Sequence, residues 1–98
     1  MHTAIRLLKK IPRGKVATYR DLARVCHTSP RAIGSVMGHN KDPVHFPCYK
    51  VVSSSGAIGG YSGPGGIKRK IALLRRDGIV VIDGRVDKKY FYIFGGMV

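Results

Sequence analysis

The sequence predicts a mainly α-helical domain with small β-hairpins, arranged as a winged-helix-like helix-turn-helix fold. Two short helical patterns are separated only by residues 27–29, which is the spacing of a helix-turn-helix. Farther along, a Ser/Gly-rich turn lies between short apolar runs, and an Asp-Gly pair lies between two more. The 98 residues have room for one hydrophobic core, so we expect a single domain over residues 1–98.

The first two helices are predicted from their apolar faces and their boundaries. Residues 3–10 place apolar side chains on one face and basic ones on the other, and Pro12 stops this helix. Thr18 stands three residues before Asp21, a spacing that resembles a capping box. This spacing predicts a second helix over about residues 18–26.

The third predicted helix contains unusually small residues. Ser29 and Pro30 are preferred at the N-cap and the first helical position, so this helix runs over about residues 30–39. Gly34 and Gly38 lie one turn apart on the same face, although glycine costs helix stability. Two explanations fit this spacing equally well. The backbone either approaches a ligand closely, such as a DNA groove, or packs tightly against another helix.

The second half of the chain combines short strands, turns and one helix. Residues 51–61 predict a strand, a Ser/Gly turn and a short second strand. Residues 67–76 have apolar positions at helical spacing, beginning with Ile67, and predict a helix. In the tail, residues 79–94, the pair Asp83-Gly84 predicts a β-hairpin.

The charge of the chain indicates a polyanionic partner. Eighteen Lys and Arg residues against five Asp and Glu give a formal net charge of +13. Nucleic acid explains this balance best, with an anionic membrane surface or a generally basic proteome as alternatives. No apolar run is long enough to cross a bilayer, and residues 1–10 do not resemble a signal peptide. We therefore expect an intracellular, cytoplasmic nucleic-acid-binding domain with reduced thiols.

Cys48 is the candidate reactive residue. It lies where a proline-containing loop meets an apolar strand, and the nearby charge of Lys50 favours the nucleophilic thiolate. A lone cysteine also fits a structural role in the core, and we assign that role to Cys26. The four histidines do not have metal-ligand spacing, so no metal or cofactor is expected. His45 is interpreted as a loop residue rather than a partner of Cys48.

Five segments together resemble a known family. In chain order they are IPRGKVATYRDLA, SPRAIGSVMGHN, PCYKVV, SSSGAIGGYSG and KRKIALL. They resemble the C-terminal catalytic domain of the O6-alkylguanine-DNA alkyltransferase (methylated-DNA–protein-cysteine methyltransferase) family. The resemblance covers residues 1–78 as a family core, and residues 79–98 resemble a hairpin extension found in some members.

The resemblance implies a DNA-repair reaction. Family members bind double-stranded DNA containing O6-alkylguanine through the helix-turn-helix, with its second helix in the minor groove. They flip the damaged nucleotide into a pocket and move the alkyl group irreversibly to a cysteine, so each molecule reacts once. Cys48 matches that acceptor cysteine. The implied protein is a monomer that needs no cofactor.

The same resemblance assigns roles to individual residues. Arg31 matches the arginine that enters the base stack, and Tyr19 matches the tyrosine that contacts the extrahelical nucleotide. Asn40 matches an asparagine that braces the turn after the recognition helix. The implied DNA-binding residues are Arg31, Ala32, Gly34, Ser35, Gly38 and Lys50. The implied base-pocket residues are Tyr19, Pro47, Val51, Tyr61 and Ser62.

The chain departs from the family pattern at the proton-accepting position. Most members have His and then Arg after the cysteine, and that His works with a Glu. Here the positions hold Tyr49 and Lys50, and the Glu position holds Asp77. Tyrosine has an ordinary pKa of about 10 and is a poor base near neutral pH. We therefore expect transfer that is slower, or shifted to higher pH.

Two further departures concern the length of the chain. Two extra residues follow Ser62, around Pro64-Gly65, in a loop that faces the substrate base in the family. They bear on how large an alkyl group is accepted. The N-terminal domain of many members is also absent, which fits either a natural minimal form or an excised fragment.

Two other functions compete with alkyl transfer. Alkyltransferase-like proteins share the fold and bind alkylated DNA without transfer, usually with the acceptor cysteine replaced, often by Trp. Cys48 and the lack of Trp argue against this function, while Tyr49 keeps it open. A plain helix-turn-helix module, such as a transcription factor, would leave Cys48 without a role.

The tail either extends the DNA contact or covers the core, and we favour the core.

Overall fold

Short helices provide most of the secondary structure. This computed structural model describes residues 2–59 and 65–95. Within those ranges the α-helices are α1 (Thr3–Leu7), α2 (Tyr19–Cys26), α3 (Pro30–Gly38) and α4 (Gly66–Arg76). The strands are β1 (Ala17–Thr18), β2 (Val51–Val52), β3 (Val81–Ile82) and β4 (Arg85–Val86). Single turns of 3-10 helix cover Leu8–Lys10, Cys48–Lys50 and Lys88–Tyr90.

The helix-turn-helix forms because both of its helices are capped by their own sequence. The hydroxyl of Thr18 accepts a hydrogen bond from the backbone N–H of Asp21 at 3.0 Å, which begins α2. The hydroxyl of Ser29 accepts one from the N–H of Ala32 at 3.1 Å, which begins α3. Between them His27 adopts a left-handed conformation with φ 55° and ends α2. Both predicted helices are confirmed.

The predicted helix over residues 67–76 is confirmed as α4. α4 turns Lys70 and Leu74 inward, and both are fully buried, whereas Ile67 is 53% exposed. Residues 70 and 74 are one turn apart and define the inner face. Ile67 fits the apolar spacing of the helix but lies outside this inner face.

Strand β1 was not predicted. Ala17 and Thr18 pair in parallel with Val51 and Val52 of β2. Both β1 residues and the preceding Val16 are buried, so the segment lacks the alternation of buried and exposed residues that identifies a strand. A two-residue strand buried on both faces has no recognisable pattern in the sequence.

The second predicted strand after the Ser/Gly turn is reduced to a bridge. Ala57 pairs with Arg85 of β4 rather than extending a hairpin with β2. The N–H of Ile58 donates to the carbonyl of Gly84 at 3.0 Å, and that of Val86 donates to Gly56 at 2.8 Å. The Ser/Gly turn and the tail hairpin are therefore joined edge to edge.

The tail hairpin is confirmed, but it is shorter than expected. β3 and β4 pair through Val81–Val86 and Ile82–Arg85, with left-handed residues in the turn between them. After β4 the chain enters the turn Lys88–Tyr90 instead of continuing as a strand.

The end of the tail packs against the helix-turn-helix. The N–H of Val16 donates to Tyr90 at 2.8 Å, and the carbonyl of Val16 accepts from Tyr92 at 2.7 Å. The Asp21 carboxylate accepts from the N–H of Phe94, and the Arg24 guanidinium donates to the Phe94 carbonyl, both at 2.9 Å. The Phe94 side chain is fully buried, so the tail forms part of the core.

Two groups of buried residues make up that core. The first lies among α1, α2 and α3 and includes Cys48, Val51 and Phe94. The second joins Val16 and Val52 to α4 and the tail hairpin. This architecture confirms a mainly helical domain with small hairpins. None of the described helices is long and apolar enough to span a membrane.

The contact between the Ser/Gly turn and the hairpin predicts that two glycine substitutions will lower the free energy of unfolding by different amounts. Gly56 has φ +90°, and a Cβ there would lie 2.4 Å from the carbonyl oxygen of Val86. Gly84 has φ +69° and no atom of the described residues within 4 Å of its Cβ position. We expect Gly84→Ala to lower the free energy of unfolding by about 1–2 kcal/mol from left-handed strain alone. Gly56→Ala adds a backbone clash of about 1–3 kcal/mol.

Urea denaturation of both variants measures this difference. Equal losses of unfolding free energy would show that the turn and the hairpin do not pack as described.

Candidate active site

Cys48 is held rigidly at the start of its 3-10 turn. Its N–H donates to the carbonyl of Phe46 at 2.8 Å, and the same carbonyl accepts from the side-chain amide of Asn40 at 2.8 Å. Asn40 follows α3 closely, so it connects α3 to the loop that carries the thiol. The thiol is free and the residue is only 7% exposed. The preceding Pro47 is half-buried.

Tyr49 is hydrogen-bonded to Asp77. Its hydroxyl donates to Asp77 Oδ2 at 2.9 Å. Burial raises the pKa of Tyr49 to about 12, and the hydrogen bond and negative charge of Asp77 act in the same direction. The hydroxyl therefore stays protonated across the physiological range and does not accept a proton from a thiol.

Lys50 is buried and bonded within the domain, and its contact with DNA stays a prediction. The residue is 6% exposed, and its Nζ donates to the carbonyls of Ile11 and Pro12 at 3.2 and 3.1 Å. It also lies 3.5 Å from Asp77 Oδ2. A buried ammonium needs such partners to offset its lost hydration. Lys50 therefore fixes the loop before β1 through these hydrogen bonds.

Lys70 is the site residue that sequence reasoning missed. It is 1% exposed, and its Nζ donates to the carbonyls of Val51 and Ile58 at 2.8 and 2.7 Å. Burial lowers the pKa of Lys70 to about 8, against an opposing effect of the Cys48 thiolate charge. The available sequence signal was its one-turn spacing from Leu74, which places it on the buried face of α4.

Tyr19 lies on another side of the thiol. It is the first residue of α2 and is half-buried. Burial raises its pKa, and the charge of Cys48 adds to that effect. The Nζ of Lys70 lies 5.9 Å from the centre of its ring. The structure thus brings Tyr19 and Cys48 together with Lys70 and the backbone of Val51.

The outward face of α3 is open. Arg31, Gly34, Ser35 and Gly38 are exposed, while Ala32 is half-buried. A Cβ at Gly34 or Gly38 would meet no atom of the described residues within 4 Å. Contacts within the described part of the domain do not require these glycines, which disfavours helix packing as their explanation.

A cavity lies beside the exposed face of α3. It has a volume of about 350 Å³. Its lining residues are Tyr19, Arg20, Pro30, Arg31, Gly34, Ser53 and Ser54. Tyr19 lines this cavity and is also close enough to Cys48 for the thiolate charge to affect its pKa. Tyr61 and Ser62, predicted for the base pocket, lie outside the described residues, as does Pro64.

The remaining candidates have structural surroundings. His45 is exposed, and its Nδ1 lies 2.9 Å from Asp42, consistent with a loop residue. Cys26 is half-buried against the first core group, and burial raises its thiol pKa. The described residues hold no group of three or more His, Cys, Asp or Glu side chains placed for a metal ion.

Fold and site define a helix-turn-helix domain that carries a buried cysteine behind an open helix of small residues. The chain belongs to the family described as 6-O-methylguanine DNA methyltransferase, DNA binding domain, whose family model matches residues 1–79.

Two similar methyltransferases are longer than this chain. The bifunctional methyltransferase/endonuclease of Picrophilus torridus is 46% identical over 87 residues, which is 87% of this chain but 28% of that protein. The methylated-DNA–protein-cysteine methyltransferase of Thermococcus kodakarensis is 47% identical over 73 residues, or 74% of this chain and 40% of that protein. The chain therefore spans less than half the length of these relatives.

Solved structures share the fold. S. pombe Atl1, in complex with damaged DNA containing O6-carboxymethylguanine, superposes with a TM-score of 0.80 and 25% identity over 91% of this chain and 90% of that chain. The Mycobacterium tuberculosis OGT in complex with DNA has a TM-score of 0.69 and 36% identity over 76% of this chain and 45% of that chain.

The contact between Tyr49 and Asp77 predicts how the tyrosine titrates. Asp77→Asn removes the negative charge, so the pKa of Tyr49 should fall from about 12 towards its ordinary value while burial still holds it above that value. Ring-carbon NMR titration of tyrosine-labelled protein measures the change, with Tyr49→Phe to assign the signal. Asp83→Asn, in the exposed hairpin turn, is the matched control and should leave the titration of Tyr49 unchanged.

Proposed function

We propose that this chain repairs double-stranded DNA by transferring the alkyl group of O6-alkylguanine to Cys48 in a single-turnover reaction. The observation that carries this proposal is the free Cys48 thiol, which is buried beside Tyr19 and Lys70 behind the open face of α3. The chain acts as the C-terminal catalytic type of domain, with residues 79–98 as its hairpin extension. Family membership and the names of its relatives support this function.

DNA binding uses the exposed face of α3. The small side chains of Gly34, Ser35 and Gly38 let the helix backbone approach the floor of a minor groove. The net charge of +13 supplies the attraction to phosphates. Structures of Atl1 from S. pombe and of OGT from M. tuberculosis were solved in complex with DNA, which supports a DNA partner for the same fold.

The burial of Cys48 requires nucleotide flipping. With 7% exposure, the residue is out of reach of a base that stays stacked in the duplex. Flipping costs a few kcal/mol of unstacking, least for a poorly paired base. The exposed Arg31 lies beside the 350 Å³ cavity and is placed to fill the vacated stack, while Tyr19 contacts the flipped nucleotide.

The reaction is a displacement at the alkyl carbon. The sulfur of Cys48 forms a bond to that carbon, the bond to O6 breaks, and guanine leaves with the electron pair and takes up a proton. The thioether is stable, so the protein is consumed and no cofactor takes part. No step of this reaction regenerates the thiol.

Intact-protein mass after mixing with duplex DNA that carries O6-methylguanine tests the function. Wild-type protein should gain one methyl group, and Cys48→Ala should gain none. Cys26→Ala is the matched control because Cys26 packs against the core, and it should react like the wild type. Methylation of the Cys48→Ala variant would contradict the assignment of the acceptor.

Tyr49 lies where most family members have histidine, so we expect the Tyr49→His variant to transfer the alkyl group faster. Tyr49 already donates to Asp77 and holds its own proton, so it gives no general-base assistance at neutral pH. Tyr49→His introduces a base next to Asp77 and should raise the transfer rate at pH 7 by about tenfold, a small part of the ~10²–10⁴ available to general bases. Tyr49→Phe should show no gain. Single-turnover kinetics between pH 6 and 9 measure both, and an unchanged rate and pH profile in Tyr49→His would refute the idea.

Lesion binding without transfer is the second candidate function. The superposition on S. pombe Atl1 covers nine tenths of both chains, and that protein was solved with O6-carboxymethylguanine DNA. Tight, lesion-dependent binding with an unchanged protein mass would favour this function over transfer.

A further inference from the structure

A basic groove lies between the turn Leu8–Lys10, the loop that carries Cys48, and α4. Its volume is about 1090 Å³. None of its described lining residues belongs to α2 or α3, and none lines the cavity beside α3. The basic groove is therefore a surface separate from the helix-turn-helix.

Positive charge dominates this groove. Its described lining residues include five Lys and Arg side chains and one carboxylate, and that carboxylate, Asp77, already faces the Lys50 ammonium at 3.5 Å. The other four cations are exposed and form no ion pair with the described acidic residues; they are Lys9, Arg13, Arg69 and Arg76. Like charges around one groove repel one another, so an anionic ligand is favoured there.

The arginines of the groove are held by secondary structure. Arg69 and Arg76 are two turns apart on α4, so they lie along one face of the helix, roughly 10 Å from each other. The Arg13 guanidinium donates to the carbonyl of Arg76 at 3.3 Å, which attaches the N-terminal segment to the end of α4. An extended peptide covers this distance in about three residues. The spacing therefore suits carboxylates along an extended segment.

The basic groove also has an apolar lining. It comes from Leu8, Ile11, Pro43, Val44, Pro47 and Leu73. Val44 is 85% exposed, and contact with an apolar side chain of a partner removes it from water. The phosphate backbone of a nucleic acid carries charge but has no aliphatic side chain to place there. A protein segment with both carboxylates and apolar side chains matches both kinds of lining.

We propose that the basic groove binds an acidic segment of a partner protein, with carboxylates on its Lys and Arg side chains and an apolar side chain against Val44. Guanidinium groups bind carboxylates through paired hydrogen bonds, which suits the arginines of α4. Because Pro47 and Tyr49 both line the groove, the partner lies against the loop that carries Cys48. The groove and the open face of α3 can then be occupied at the same time.

The tail hairpin provides matched control residues. Its exposed cations Arg85, Lys88 and Lys89 line another cavity, which shares no described lining residue with the basic groove. Asp83 and Asp87 lie in the same segment and offset most of this positive charge. Neutralising two tail lysines therefore lowers the net charge as much as neutralising two arginines of α4, but away from the groove.

Fluorescence anisotropy with a labelled peptide of repeated Glu-Glu-Leu triplets tests the proposal. The α4 double variant, Arg69→Gln/Arg76→Gln, should bind the peptide about tenfold more weakly than wild-type protein. The tail double variant, Lys88→Gln/Lys89→Gln, has the same net charge and should lose less than about twofold at ~0.15 M salt, where distant charges are screened. Equal losses in the two double variants, or no binding to wild-type protein, would overturn the proposal.

The apolar contact is tested separately. Val44→Ser should weaken binding of the same peptide by about fivefold. Val80→Ser, at a position 53% exposed in the tail, is the control and should bind like the wild type. A peptide with Ser in place of each Leu should not distinguish Val44→Ser from wild-type protein. An unchanged affinity of Val44→Ser for the Leu peptide would contradict this contact.

Two further measurements locate the peptide. The ring-carbon signals of Tyr49, which lines the groove, should shift when peptide is added, and those of Tyr92, which does not line it, should stay in place. Protein saturated with undamaged duplex DNA should still bind the peptide. Displacement of the peptide by duplex, together with a larger loss of DNA affinity in the α4 double variant than in the tail double variant, would make the groove a DNA site instead.

Each variant changes exposed side chains, and circular dichroism checks that it folds. None of the expected results depends on alkyl transfer, so failure of the transfer reaction and failure of peptide binding are separate outcomes.

Discussion

The hydrogen bonds from Lys70 to the carbonyls of Val51 and Ile58 connect the parts of this domain that matter for its chemistry. They attach α4 to the strand after Cys48 and to the far side of the Ser/Gly turn. An amine buried without such acceptors would cost several kcal/mol, so the turn and the helix are constrained together. The lining of the thiol site and the loop beside α3 follow from this one constraint.

The domain separates two uses of positive charge. Most of its Lys and Arg side chains are exposed, where they attract a polyanion and cost little. Lys50 and Lys70 are buried instead, and each is bound to two backbone carbonyls. Lys50 has Asp77 as a counter-charge, and burial lowers the pKa of Lys70 to about 8. Sequence composition counts these residues together, although their chemistry differs.

The helix-turn-helix could be predicted because its helix caps are local in the sequence. The buried lysines could not, because their burial depends on tertiary contacts. Thr18 and Ser29 cap helices through atoms three residues away, so their roles can be read from the sequence. The burial of Lys70 depends on carbonyls 19 and 12 residues away, and that of Lys50 on carbonyls nearly 40 residues away. Periodicity does not report such contacts. The family resemblance identified Cys48 and Tyr49 but gave no reason to assign either lysine to the interior.

The bonds of Val16 to Tyr90 and Tyr92, and of Asp21 to Phe94, also bear on the order of folding. They join segments more than 70 residues apart, so they close late and at a cost in chain entropy. During synthesis from the N-terminus, the helix-turn-helix emerges well before the segment that packs beneath it. Until residues 90–94 leave the ribosome, Val16 and Asp21 lack these partners, and the nascent domain exposes the apolar surface that Phe94 later covers.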